Sequence, residues 1–150
     1  MKSILSVCKI FLRTFLIVYL ASSCSNIRVI TITGINPNNH ENLILRDKHG
    51  EPADTLKVLP GQTIKWKIKS EDILALDSLP LKDPTKASSA VLEQRPTKDS
   101  SSSNWTGKVK KTGLKAGDYE IYHIYWKDKN NQLHKYDPAI MVKNPCPPCN

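Results

Sequence analysis

Polar and apolar residues alternate along much of this chain with a period of two, the spacing of a strand that has one face buried. The clearest case is "TIKWKIK" (63–69), where Ile64, Trp66 and Ile68 share one face and Lys65, Lys67 and Lys69 the other. "IRVITIT" (27–33), "LILRD" (43–47), "DTLKVL" (54–59), "WTGKVKK" (105–111), "LHKYD" (133–137) and "PAIMVK" (138–143) read as further strands. Pro-Gly in "LPGQ" (59–62), "TGLKAGD" and "KNNQ" mark turns between them. "KHGEPA" reads as a hairpin or a short connection. No segment holds a sustained period of 3.6, so the spacing predicts an all-β chain, a small sandwich of about seven strands.

Two stretches break the pattern. Residues 70–104 carry Pro80, Pro84, Pro96 and the tract "TKDSSSSN", and read as a long irregular segment, functional or mobile, in which "EDILALDSL" could form a short helix or strand and "SSAVLEQ" a brief turn of helix or an edge strand. The strand "YEIYHIYWKD" (119–128) is apolar on both faces, so periodicity alone does not say which face is inside. If Tyr119 faces the core, Tyr122 and Trp126 lie outside, as a surface for a glycan or a partner protein. The alternative is that the 70–104 segment, which must bury Ile73, Leu74, Leu76, Leu79 and Leu81, covers them.

The N-terminus has a different character. Lys2, Lys9 and Arg13 precede an uncharged run, "TFLIVYLA" (14–21), and small residues follow. That order of positive start, short apolar core and small-residue exit reads as a secretory signal. The run is far short of the roughly 20 apolar residues that span a bilayer. The exit, "LASSC" (20–24), resembles the lipobox of bacterial lipoproteins, with Ala21 where that family favours Leu and Leu20 one place further out. The resemblance implies that Cys24 receives a diacylglycerol on sulfur, becomes the mature N-terminus and is then acylated on its amine, palmitate being a typical chain. Ser25, not Asp, follows the cysteine, which by the same resemblance implies the outer membrane of the cell envelope, facing the periplasm. An ordinary signal cleaved nearby, with Cys24 incidental, is the alternative.

The expected organisation is therefore a signal over 1–23, a lipidated tether over 24–26, a sandwich over 27–143 and a Pro/Cys tail over 144–150. Removing 23 of 150 residues leaves 127, enough for one hydrophobic core. Loss of Lys2, Lys9 and Arg13 lowers the formal charge from +8 to +5. An exported protein of this charge is not expected to meet nucleic acid; anionic headgroups or acidic polysaccharide are the more physical partners. Alternate lysines are also what the wet face of any strand carries.

Two short pieces resemble known sandwiches. "LKAGDYEI" (114–121) is similar to the tyrosine corner of immunoglobulin-like domains. "VLPGQTIKWKI" (58–68) is similar to the Pro-Gly turn and strand of cupredoxins. The cupredoxin likeness raises copper, whose blue site needs two imidazoles and a thiolate. His123, His134 and Met141 lie in strands, but no cysteine stands between Cys24 and Cys146, so no cofactor is expected. A thiolate-free site of His123, His134 and Met141, for copper or zinc, is the alternative. The tail "NPCPPCN" sets Cys146 and Cys149 in a C-x-x-C pair. In an oxidising compartment a small disulfide loop is expected, with free thiols or a thiol-exchange site as alternatives. No catalytic motif is present, and the expected function is a non-catalytic binding or assembly module at the envelope.

Overall fold

A computed structural model describes residues 26–82 and 91–144. Among them are eleven strands and no helix: β1 (Ile27–Asn36), β2 (Asn39–Arg46), β3 (Thr55–Val58), β4 (Thr63–Ile68), β5 (Ile73–Ser78), β6 (Leu92–Lys98), β7 (Trp105–Val109), β8 (Tyr119–Ile121), β9 (Ile124–Asp128), β10 (Leu133–Tyr136) and β11 (Ala139–Val142). The all-β sandwich is as expected, divided into more and shorter strands than the seven or so that periodicity suggests. Cys24, Cys146 and Cys149, with the stretch expected to be a signal and residues 145–150 of the expected tail, lie outside the described residues.

The strands form a five-stranded sheet of order β2-β1-β4-β7-β6 and two three-stranded sheets, β10-β9-β5 and β3-β11-β8. Most pairs are antiparallel, but β1 runs parallel to β4 and β3 parallel to β11. The small sheets share one continuous run, because β8 and β9 are the two halves of 119–128. At the junction Tyr122 N–H donates to the Pro138 carbonyl at 3.1 Å and His123 N–H to that of Pro80 at 2.8 Å. Together they form the second layer of the sandwich.

The core fills the space between layers. Ile30, Ile32, Ile64 and Trp66 enter it from the large sheet, and Tyr122, Ile124, Trp126 and Ile140 from the other, all fully buried. Trp66 and Tyr122 meet edge to face, ring centroids 5.6 Å apart at 70°. The Trp66 Nε1–H donates to the Tyr122 hydroxyl at 2.9 Å, so each ring satisfies the other's polar atom.

This reverses the face assignment for 119–128. Tyr119 is 53% exposed and Tyr122 and Trp126 are fully buried, so they form no outer binding surface. The even-numbered residues from Glu120 to Trp126 all point inward, Glu120 included. The 70–104 segment is also more regular than expected, holding β5 and β6. Ile73, Leu76 and Leu79 are buried, and Leu76 stands opposite Trp126, so β5 does cover part of the aromatic strand. Leu74 stays 60% exposed.

The serine tract becomes the turn from β6 to β7. Asp99 accepts the Ser101 N–H at 3.1 Å and the hydroxyls of Ser101 and Ser102 at 2.9 and 3.0 Å. These bonds, led by the Ser101 N–H, hold its carboxyl below the ordinary 3.8. "KHGEPA" makes a short connection: Arg46 bridges to Pro52, Ala53 N–H donates to the Leu45 carbonyl at 3.0 Å, and the chain then crosses to β3 in the other layer.

Candidate functional site

The three residues weighed for a metal are not brought together. His134 stands opposite Trp126, and their rings stack at 4.4 Å and 21°. Its Nε2 is 3.4 Å from the Asp128 carboxylate. His123 lies at the junction before β9, three residues from Trp126 along the chain, about 10 Å at the usual rise of extended backbone. Its Nδ1 is 2.6 Å from Asp137 Oδ1. Met141 is on β11, between Lys57 of β3 and Tyr119 of β8. Each imidazole is thus matched with its own carboxylate, and among the described residues no cluster of three His, Cys, Asp or Glu side chains forms.

A cleft does form where the layers part, between the β2 edge of the large sheet and β10 of the other. Its volume is about 380 Å³, and Asn36, Asn42, Leu43, Arg46, Asp54 and Tyr136 line it. That volume is within the range of about 300–1,000 Å³ usual for ligand sites. The hairpin from β1 to β2 supplies one end. Asn36 and Asn39 cap their own turns, accepting the N–H of Asn38 at 2.9 Å and of Glu41 at 3.1 Å. Asn42 and Arg46, both half-buried, sit farther along the same strand. The Arg46 guanidinium reaches the Gly50 carbonyl at 3.4 Å, which holds it across the loop.

The opposite wall is a carboxylate and a phenol. Tyr136 donates its hydroxyl to Asp54 Oδ1. Burial, the hydrogen bond and the nearby Asp54 charge all push the Tyr136 hydroxyl above its ordinary pKa, so it stays protonated as a donor. The cleft therefore offers amide donors and acceptors, a guanidinium, a carboxylate and an apolar floor in Leu43.

β2 gives the cleft a backbone component. The Leu45 carbonyl points away from β1, since it accepts from Ala53, whereas the Ile44 carbonyl points toward β1, where Thr33 Oγ1 donates to it at 3.3 Å. Backbone polar groups alternate along a strand, so those of Leu43 share the outward direction of Leu45. At Leu45 and Asp47 this edge is already paired with Ala53 and Glu51, so the part that can accept a further extended segment is the stretch ending at Leu43.

One buried carboxylate lies elsewhere. Glu120, 8% exposed, takes the N–H groups of Val91 and Leu92 on Oε2, the latter at 3.3 Å. Among the described residues its Oε1 has no hydrogen-bond partner. Burial, outweighing those two bonds and the Lys110 charge, pushes its pKa above the ordinary 4.5.

None of the cleft residues stands out in the sequence as a site. Tyr136 and Asp54 are far apart in the chain and carry no motif, and the Asn-rich loop reads as a turn. The parallel pairing of β3 with β11, which brings Ala139 opposite Thr55, is what sets them together. No family model matches the chain, and no curated protein matches it.

Proposed function

We propose that this chain is an exported, lipid-anchored envelope module that binds a partner without chemistry, through the cleft along β2. The observation that carries the reading is the pairing in one cleft of the outward β2 edge at Leu43 with Asn42, Arg46 and the Asp54–Tyr136 couple. Those groups suit an extended peptide segment, whose backbone would pair with β2 while its side chains meet the amides and the guanidinium. A glycan would use the same side chains without the backbone ladder.

The anchored part of the reading has support from position. β1 begins at Ile27, so a lipid on Cys24 would be two residues from the sandwich. β1 has ten residues and runs about 30 Å, away from that point. Asn36 ends the strand and lines the cleft, so the cleft reaches the end remote from the tether. A partner would meet it on the open side of the membrane.

Two measurements test the halves separately. Mass analysis of the purified native protein should find acyl chains on Cys24, and Cys24→Ala should accumulate an unprocessed precursor; a mature chain free of fatty acid would end the anchored reading. Amide chemical-shift mapping against a panel of extended peptides and envelope glycan fragments should move the signals of Asn42, Leu43 and Tyr136. Shifts clustered away from β2, or none across the panel, would end the cleft reading.

A further inference from the structure

The end of the sandwich at which the chain enters gathers basic residues from three separate segments. Thr63 N–H donates to the Asn26 carbonyl at 2.7 Å, which places the turn at 59–62 beside the point of entry. Gly61 of that turn donates to the Lys110 carbonyl at 3.0 Å. Gly61 also lies against Lys111, whose Cγ would be 3.4 Å from a Cβ added there. Lys143 N–H donates to the Val58 carbonyl at 2.9 Å, immediately before the same turn. Gly117 N–H donates to the Val142 carbonyl at 2.8 Å, which brings the loop containing Lys115 to this end as well.

Lys110, Lys111, Lys115 and Lys143 thus surround the entry point, Lys111 and Lys115 exposed and the other two half-exposed. The acidic groups nearby are few, and one of them, buried Glu120, feels the Lys110 charge. Asp118 accepts the Lys115 N–H at 2.7 Å, Glu120 is buried under Val91 and Leu92, and Glu93 is 3.5 Å from Lys108. No carboxylate of the described residues makes an ion pair with any of the four lysines.

We infer that this end is a docking surface for anionic phospholipid headgroups, with Lys110, Lys111, Lys115 and Lys143 as its cationic contacts. The inference rests on the anchored reading for its orientation: with only Ser25 and Asn26 between Cys24 and β1, a lipid in the bilayer would press this end, and no other, against the headgroups. A short tether raises the effective concentration of the surface for the membrane, and basic residues near an anionic leaflet then act together. The lysines would hold the sandwich upright, leaving the remote end of the cleft facing outward.

The test uses the full native chain and sedimentation with two vesicle types, phosphatidylcholine alone and phosphatidylcholine mixed three to one with phosphatidylglycerol. The wild type should partition onto the mixed vesicles roughly tenfold to a hundredfold better at low salt, and the preference should fade at high salt. Changing Lys110, Lys111, Lys115 and Lys143 together to Gln should abolish the preference while leaving binding to neutral vesicles unchanged. The matched control changes Lys65, Lys67, Lys69 and Lys98, an equal charge loss on the side and remote end of the large sheet, and should keep the preference.

No preference in the wild type, or equal loss in the two variants, overturns the inference. So does binding of a soluble acidic polysaccharide through the four lysines without any preference for anionic vesicles. Failure of the anchor is a different outcome: an unacylated mature chain would lose binding to neutral vesicles yet retain the difference between the two types. Circular dichroism of both variants confirms that the sheet content is intact.

Discussion

At the scale of single residues, the contact that ties the layers together is the hydrogen bond between Trp66 and Tyr122, since both rings are fully buried. Tyr122→Phe keeps the shape and leaves the Trp66 Nε1–H without an acceptor, which should cost about 1–3 kcal/mol. A urea titration with an unchanged slope and a lower midpoint would show it; an unchanged midpoint would mean that the bond contributes nothing. Burial, the larger influence, pushes the Tyr122 hydroxyl well above its ordinary pKa, against the smaller opposing effect of the Trp66 bond, so it stays neutral in the core. The same strand shows where sequence reading runs out. Tyr119, Ile121 and Tyr125 make one plausible core face, and Tyr122, Ile124 and Trp126 the other. Glu120 shares the second face and argues for solvent, yet it is buried because the N–H groups of Val91 and Leu92 receive its carboxylate. Those two residues are remote in the sequence, so the contact is invisible until the chain is folded.

Among the elements, strands of strict alternation are legible and strands with bulges are not. β4 was visible from Ile64, Trp66 and Ile68, and its observed bounds differ from the expected ones by a single residue. β5 reads as helix or strand alike, because register shifts on either side of Ala75 and Leu76 put its buried residues, Ile73 and Leu76, three apart. β6 was hidden for a second reason. Only Leu92 and Pro96 are buried in "LEQRPTK", and proline argues against a central strand, but β6 is at the sheet edge, where proline is tolerated. β7 is the inner neighbour of β6 and depends on a glycine. A Cβ on Gly107 would sit 3.1 Å from two atoms of the Trp66 ring and 3.4 Å from Pro96. Trp66 is held in place by Tyr122 and cannot retreat without breaking that bond. Gly107→Ala should therefore destabilise by about 1–3 kcal/mol, as overpacked cores do. Thermal unfolding would register this, and a wild-type midpoint would show that the ring yields at no cost. Combined with Tyr122→Phe, the loss should be less than additive, because a freed ring can move aside.

For the molecule as a whole, the ionisable groups set opposing limits on stability. Burial pushes Asp47 up, but the N–H groups of His49 and Glu51 outweigh it and hold the carboxyl below 3.8. Asp137 is likewise pushed up by burial and brought down further by His123, with Lys135 and Lys82 adding to it. In Asp128 burial is outweighed by the Gln132 N–H, His134 and the Asn130 N–H. Asp99, bound by Ser101 and Ser102, belongs to the same set. A carboxylate with a lowered folded pKa contributes stability above its unfolded value, and that contribution disappears as pH falls through the folded value. Glu120 has the opposite sign. Its folded pKa lies above 4.5, so its contribution is complete below 4.5 and is lost as pH rises through the folded value. The two effects together place the stability maximum on the acid side of neutrality, with a decline on each side. Glu120→Gln should remove the decline on the high-pH side alone, since the amide oxygen can still accept the N–H groups of Val91 and Leu92 without carrying a charge. Asp137→Asn should make the acid-side decline shallower, by lowering stability above the ordinary 3.8, where the ionised carboxylate contributes, and leaving the most acid points unchanged. Urea midpoints for wild type and the two variants, taken at intervals from pH 3 to pH 8, separate the limbs. A wild-type curve that rises steadily to neutrality, or a Glu120→Gln curve that falls as steeply as the wild type above its maximum, would show that the buried carboxylate does not set the upper limit.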